Sequence, residues 1–137
     1  MHSTIAPIAH RISQWAGVET DPTHDGVTFR IDDRELARLS ARGDLAVPTT
    51  PALRDQLLTD GFADGVPGRH DQVQYRVRSP ADVAGAIRLL RVAYLSGSVM
   101  HTPPVGRDDH LRRLDGSSEL VALLVGADTA DHDRQTA

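Results

Sequence analysis

Histidine is the side chain best suited to acid–base or metal chemistry near neutral pH, and here its spacing restricts what it can do. The seven histidines are His2, His10, His24, His70, His101, His110 and His132, and none stands two, three or four residues from another. No pair therefore shares a local strand or helix face, and no metal site is expected. His24 precedes Asp25 at the mouth of an alternating apolar run. A histidine beside a carboxylate is suited to carrying protons near neutral pH, which makes His24 the candidate catalytic base. The plainer alternative is a histidine that only hydrogen-bonds its turn. His70-Asp71 repeats the composition in a glycine-rich loop, while Asp108-Asp109-His110 and Asp131-His132-Asp133 read as solvated polar loops.

A second group of chemical side chains is cationic. All 15 basic residues are arginine, so lysine bases, Schiff-base chemistry and a P-loop lysine are excluded. A coding bias in the source genome accounts for this as readily as selection for bidentate anion binding does. Cysteine is absent, which removes disulfides, thiolate metal sites and thiol nucleophiles. No P-loop, GxGxxG, HExxH, GxSxG or EF-hand pattern occurs, and no cofactor is expected.

The elements that must position these groups follow from periodicity. Ile5, Ile8, Ile12 and Trp15 mark one stripe of a helix ended by Gly17, with Trp15 expected in the core. Val27, Phe29 and Ile31 alternate with Thr28, Arg30 and Asp32 as a strand, and Asp32-Asp33 is a plausible hairpin turn. Leu36, Leu39, Leu45 and Val47 surround Arg42-Gly43-Asp44, predicting two short strands about a turn or one bulged strand. Thr49 or Thr50, Pro51 and the leucines at 53, 57 and 58 predict a helix stopped by Gly61. A loose segment with three glycines leads to a strand through Val73, Tyr75 and Val77. Ser79-Pro80-Ala81-Asp82 then starts a helix expected to end near Gly97.

Beyond this point Thr102-Pro103-Pro104 reads as linker, residues near Leu120 to Leu124 as one short helix, and 126–137 as a frayed polar tail. The expected fold is α+β: a mostly antiparallel sheet of about four strands with helices packed on one face, in the order α-β-β-β-α-β-α. Residues 1–97 form that domain and residues 98–137 a C-terminal extension. Strand parity turns Thr28 and Arg30 away from the core, and likewise Gln74, Arg76 and Arg78. If both strands share a sheet, Arg30 and Arg76 help form a face suited to a carboxylate or phosphate. Alternatively it is a wet face whose arginines pair with Asp32, Asp71 and Glu19, each pair worth about 1 kcal/mol or less.

The segment Arg34-Glu35-Leu36-Ala37-Arg38-Leu39-Ser40, continued by Leu45-Ala46-Val47-Pro48 and Ala52-Leu53-Arg54-Asp55, resembles the luciferase-domain family of fungal luciferase and bacterial relatives. Trp15-Ala16-Gly17-Val18-Glu19, Thr28-Phe29-Arg30 and Tyr75-Arg76-Val77-Arg78-Ser79 extend the likeness over about Ile12 to Leu95. The resemblance implies the same α+β domain and, for fungal members, oxygen-dependent oxidation of a phenolic pyrone. It also exposes departures. The family's Arg-Glu-Ile-Gly/Ala-His-x-His has Arg38 and Ser40 at its histidine positions, and a second histidine pair near Asp64-Gly65 and the tryptophan near Gln72 are missing. His24 matches a histidine that family members often carry, and Arg34 and Glu35 match directly. Arginine and serine cannot exchange a proton near neutral pH, so the family's histidine chemistry is not expected by the same route.

Three functions follow. The first is a module binding a small, partly apolar, anionic molecule through Arg34, Glu35, Arg38, Ser40, Arg30 and Arg76. The second is a cofactor-independent enzyme that oxygenates, cyclises or isomerises a phenolic or enolic metabolite, with arginines stabilising the anion and His24 as base. The third is a subunit, homodimeric or bound to another protein, docking through residues 98–125, where the apolar run Leu120 to Val125 needs cover. A net charge of −4 argues against nucleic acid and anionic membrane. No apolar run approaches the length of a membrane helix, and Met1-His2-Ser3-Thr4 carries no leader pattern, so a cytoplasmic location is expected.

Overall fold

The computed structural model describes residues 5–99 and 106–125, with side chains described through Ser96 in the first stretch. The expected linker at Thr102-Pro103-Pro104, the polar tail, His2, His101 and His132 lie outside the described residues. The chain runs α1 (Ile5–Ser13), β1 (Val18–Thr23), β2 (Gly26–Ile31), β3 (Arg34–Ser40), β4 (Asp44–Pro48), α2 (Pro51–Thr59), β5 (Asp64–Gly65), β6 (Gln72–Arg76), α3 (Val83–Val99) and α4 (Arg107–Leu114). A further helix, α5, occupies 118–125.

The α+β class and the antiparallel sheet hold, with the number of strands corrected from about four to six, in the order β1-β2-β3-β4-β6-β5. Both added strands are sheet edges, where the usual sequence signals fail. β1 reads Val-Glu-Thr-Asp-Pro-Thr and is exposed from its second residue onward, so it has no apolar alternation. Pro22 is tolerated because an edge strand needs only one side of its backbone paired. β5 has just two residues, set in the glycine-rich loop.

Turn chemistry sets the central register. Asp32 and Asp33 both take positive φ (51° and 65°), making a two-residue primed turn that brings Ile31 opposite Arg34. Aspartate tolerates this region better than most residues, so no glycine is required. Between β3 and β4, Gly43 sits at φ 92° and a Cβ there would press into the Val77 carbonyl. Gly43 also accepts from the Val77 amide at 2.7 Å, so this turn is fastened to the chain just past β6.

The helix starts follow their caps. Thr50 Oγ1 accepts from the Leu53 amide at 3.2 Å with Pro51 in the first turn of α2. Ser79 and Asp82 form a capping box around a 3-10 turn at Pro80–Asp82 that runs into α3. α3 continues to Val99, past Gly97, where the sequence suggests a stop. Its Ala86, Leu89, Leu90, Val92, Ala93, Tyr94 and Leu95 are all buried. Such all-round burial is required of a helix that rests on β3 and β4 and is flanked by α1 and α4. Phe29, Ala37, Leu39, Leu45, Val47 and Val73 form the sheet's side of this core, and the helices cover that face.

The segment after α3 holds two helices rather than one. Leu114, Leu120 and Leu124 are fully or almost fully buried in the same apolar cluster as α1 and α3. Leu120 and Leu124 of the run Leu120 to Val125 are therefore accommodated by their own chain, while Ala122, Leu123 and Val125 are exposed. Among the described residues no helix is long and apolar enough to cross a membrane.

Candidate functional site

The sequence candidates are distributed over the uncovered sheet face and its turns. Cross-strand register aligns Thr28, Arg38, Ala46 and Gln74 in one row, with Arg30 opposite Glu35 and Arg76 opposite Asp44. Arg38 Nε donates to Glu35 at 2.9 Å, Arg30 lies 3.7 Å from Asp21, and Arg76 lies 3.9 Å from Asp44. The carboxylates that partner these arginines are thus Glu35, Asp21 and Asp44 rather than Asp32, Asp71 and Glu19. Asp71 is engaged by Arg69 at 3.1 Å, which holds its carboxyl below the usual range. Arg30 and Arg76 are about four residues apart along the strands and three strands apart across them, roughly 20 Å in all. One small ligand cannot bridge them.

Ser40 serves the backbone. Its hydroxyl accepts from the Arg42 and Asp44 amides at 3.2 and 3.1 Å and closes the β3–β4 turn. Arg34 is exposed at the start of β3. His24 occupies the two-residue turn between β1 and β2, 3.3 Å from Asp25, with its side chain 93% exposed. Of the seven candidates, the structure brings Glu35 and Arg38 into a direct pair and sets Arg30 beside Glu35 across the strands.

A different group of side chains converges on the helical side. An open cleft of about 500 Å³ lies between α1, the turn after it, α3 and α4. α1 contributes His10 and Arg11, and the residues following it Gln14 and Trp15; α3 contributes Arg91; α4 contributes Asp109, His110 and Arg113. Its floor is aromatic: the Trp15 ring lies 5.2 Å from Tyr94 and 4.9 Å from His110, with the last contact edge-to-face. Tyr94 donates to the Ala16 carbonyl at 2.6 Å, fixing the turn that presents Trp15. Burial pushes the Tyr94 phenol above its ordinary pKa, so it remains a neutral donor.

Arg91 is the unusual member. It is only 8% exposed, and its guanidinium carbon stands 5.3 Å from the centre of the Trp15 ring. Its Nε donates to His110 Nδ1 at 3.1 Å. That bond assigns the proton of neutral His110 to Nε2 and leaves the outer, Nη edge of the guanidinium uncommitted to His110. Among the described residues no carboxylate forms an ion pair with Arg91. The one acid lining the cleft, Asp109, is taken by Arg113 at 2.7 Å and Arg112 at 3.2 Å. Desolvation, then the charges of Arg113 and Arg11, lowers the Arg91 pKa from its ordinary value. Desolvation and the Arg91 charge likewise hold His110 below the usual histidine range.

α4 is fastened in place by side chain to backbone bonds. Arg88 Nε donates to the Leu114 carbonyl at 2.9 Å and its Nη2 to the Asp115 carbonyl, capping the end of α4, while its guanidinium lies over Phe62 at 3.9 Å. Arg107 Nη2 donates to the Leu124 carbonyl at 2.9 Å, tying α4 to α5. Ser117 accepts from the Leu120 amide as the cap of α5 and donates to Asp60 at 2.6 Å.

Sequence reasoning assigns Trp15 to the core and Asp108-Asp109-His110 to a loop. Trp15 is instead partly buried, with contacts to the core and a share of the cleft wall, and Asp108 to His110 form the first turn of α4. A signal was present in Asp109 and Arg113, an i,i+4 pair, and in Leu111 and Leu114, three residues apart on the opposite helix face. The convergence with Trp15 and Arg91 depends on contacts between distant parts of the chain. Among the described residues no cluster of three metal-ligating side chains occurs.

Residues 33–93 match the family model described as Luciferase domain. No curated protein and no solved structure matches. Of the cleft, only Arg91 falls within the matched segment; α1, Trp15 and α4 lie on either side of it.

Proposed function

We propose that this luciferase-like domain binds a small, partly apolar anion, and that the cleft between α1, α3 and α4 receives it. One observation carries the reading: Arg91 is buried against an aromatic floor without a carboxylate partner among the described residues. A desolvated guanidinium is costly unless a compensating anion or hydrogen-bonding group meets it. Arg11 and Arg113 at the rim strengthen the field, and only Asp109 opposes it. The volume of the cleft lies in the range used for small-molecule sites.

The alternative, cofactor-independent catalysis, gains some support from His110, a histidine beside three arginines. Its Nδ1, however, already accepts from Arg91. In this arrangement His110 can donate from Nε2 but cannot take a substrate proton without giving up that bond. The geometry therefore favours binding over base catalysis. Use of the 98–125 segment as a docking surface has less support, because Leu114, Leu120 and Leu124 are already buried internally. The cytoplasmic location expected from the sequence is part of the same proposal.

The discriminating experiment is calorimetric titration of the full chain with a panel of small aliphatic and aromatic carboxylates, using Arg113→Ala and Arg38→Ala. Loss of affinity in Arg113→Ala with Arg38→Ala unaffected supports the cleft. The reverse pattern moves the site to the sheet face, and saturable turnover of any panel member would reinstate the enzyme.

A further inference from the structure

We infer that the ligand class of the cleft is a planar aromatic monocarboxylate, gripped edge-on by Arg91 while its ring lies along Trp15. This rests on the binding function proposed above and specifies the chemistry it selects. Two geometric facts restrict the anion. The Nε of Arg91 is committed to His110 Nδ1, so the edge formed by its two Nη atoms is the one left to present paired donors. Parallel donors of that spacing match the two oxygens of a carboxylate. The guanidinium also lies over Trp15, 5.3 Å from the ring centre, so a carboxylate held in the guanidinium plane carries its substituent along the aromatic wall.

The wall restricts that substituent. Trp15, Tyr94 and His110 have ring centres within 4.9 to 5.2 Å of one another, a packed cluster in which Trp15 and His110 line the cleft and Tyr94 is buried behind them. An aryl ring meets it by offset stacking or edge contact, which a puckered aliphatic ring cannot reproduce. His110, with its proton on Nε2, adds a neutral donor to the same wall. Charge supplies the remaining selection. Three guanidiniums face one carboxylate locally, yet the whole chain is −4. A compact monoanion gains the local attraction, whereas a long polyanion also meets the surrounding negative charge.

Trp15 is the only tryptophan, so its fluorescence reports directly on the cleft. The test titrates the full chain with 2-naphthoate, cyclohexanecarboxylate, 2-naphthamide and inorganic phosphate, following Trp15 emission alongside calorimetry. The expected result is 2-naphthoate binding at least about tenfold tighter than each of the other three. Arg91→Lys, which keeps the charge but not the paired donors, should weaken 2-naphthoate by about tenfold or more. If Arg91→Lys does not fold, the exposed Arg113→Ala provides the second variant, with a smaller loss expected. Equal binding of 2-naphthoate, cyclohexanecarboxylate and phosphate, all lost in Arg113→Ala, overturns the ligand class but leaves the anion-binding cleft standing. No saturable signal from any anion overturns both.

Discussion

His110 and Arg91 form the centre of the cleft, and they make it sensitive to pH. Burial and the adjacent guanidinium keep the folded His110 pKa below the ordinary value near 6.5. The unfolded chain therefore binds this proton more readily than the folded one. Stability is unaffected by His110 above about pH 6.5 and is lost as the pH falls from there toward the lower folded pKa. The slope from one such group is no more than about 1.4 kcal/mol per pH unit, and water in the open cleft keeps it smaller. Urea denaturation across that window should show this limb, and His110→Gln, which keeps an acceptor for Arg91 but does not titrate, should flatten it. An unchanged limb in His110→Gln would assign the effect elsewhere. On the opposite face, Arg38→Ala removes an exposed pair with Glu35 and should shift stability by less than about 1 kcal/mol in the same assay.

The elements divide by how local their causes are. α2 and the start of α3 are evident in the sequence because Thr50, Pro51, Ser79, Pro80 and Asp82 act within one turn of their own positions. β2, β3, β4 and β6 are evident because each alternates across a sheet with one covered face. β1 and β5 are hidden because an edge strand does not need alternation, while α4 is marked only by the Asp109–Arg113 spacing and by Leu111 and Leu114 in an otherwise polar segment. Two substitutions test what fastens these elements. Gly43→Ala places a side chain at positive φ against the Val77 carbonyl and should cost about 2 kcal/mol or more, read by chemical denaturation. Arg88→Ala frees the Leu114 and Asp115 carbonyls at the end of α4 and should cost about 2 kcal/mol. A loss below a few tenths in the second would mean that α4 is held by its leucines alone.

For the molecule as a whole, the helices after α3 belong to one core with everything before them. Leu120 is fully buried, so Leu120→Ala should cost about 2–5 kcal/mol and lower the single unfolding transition. A separate, early transition in calorimetry would instead make 106–125 an independently stable appendage. Strands β3 to β6 and most of α3 fall inside the family-matched residues 33–93, while all but Arg91 of the cleft lies outside them. This explains why the resemblance revealed the scaffold but carried no signal for the arrangement of charge and aromatic rings described here. The histidine positions of the family's β3 pattern carry Arg38 and Ser40, one in a surface pair and one closing a turn. The cleft is assembled from three distant parts of the chain, and no local pattern marks such a convergence.

The most direct measurement is a two-dimensional ¹⁵N–¹H spectrum of the full chain, recorded as 2-naphthoate is added. Saturable shifts at the Trp15 indole N–H and the amides of Asp109 to Arg113, with Arg34 to Ser40 unmoved, are the predicted result. Shifts confined to Arg34 to Ser40, Arg30 and Arg76 would contradict it.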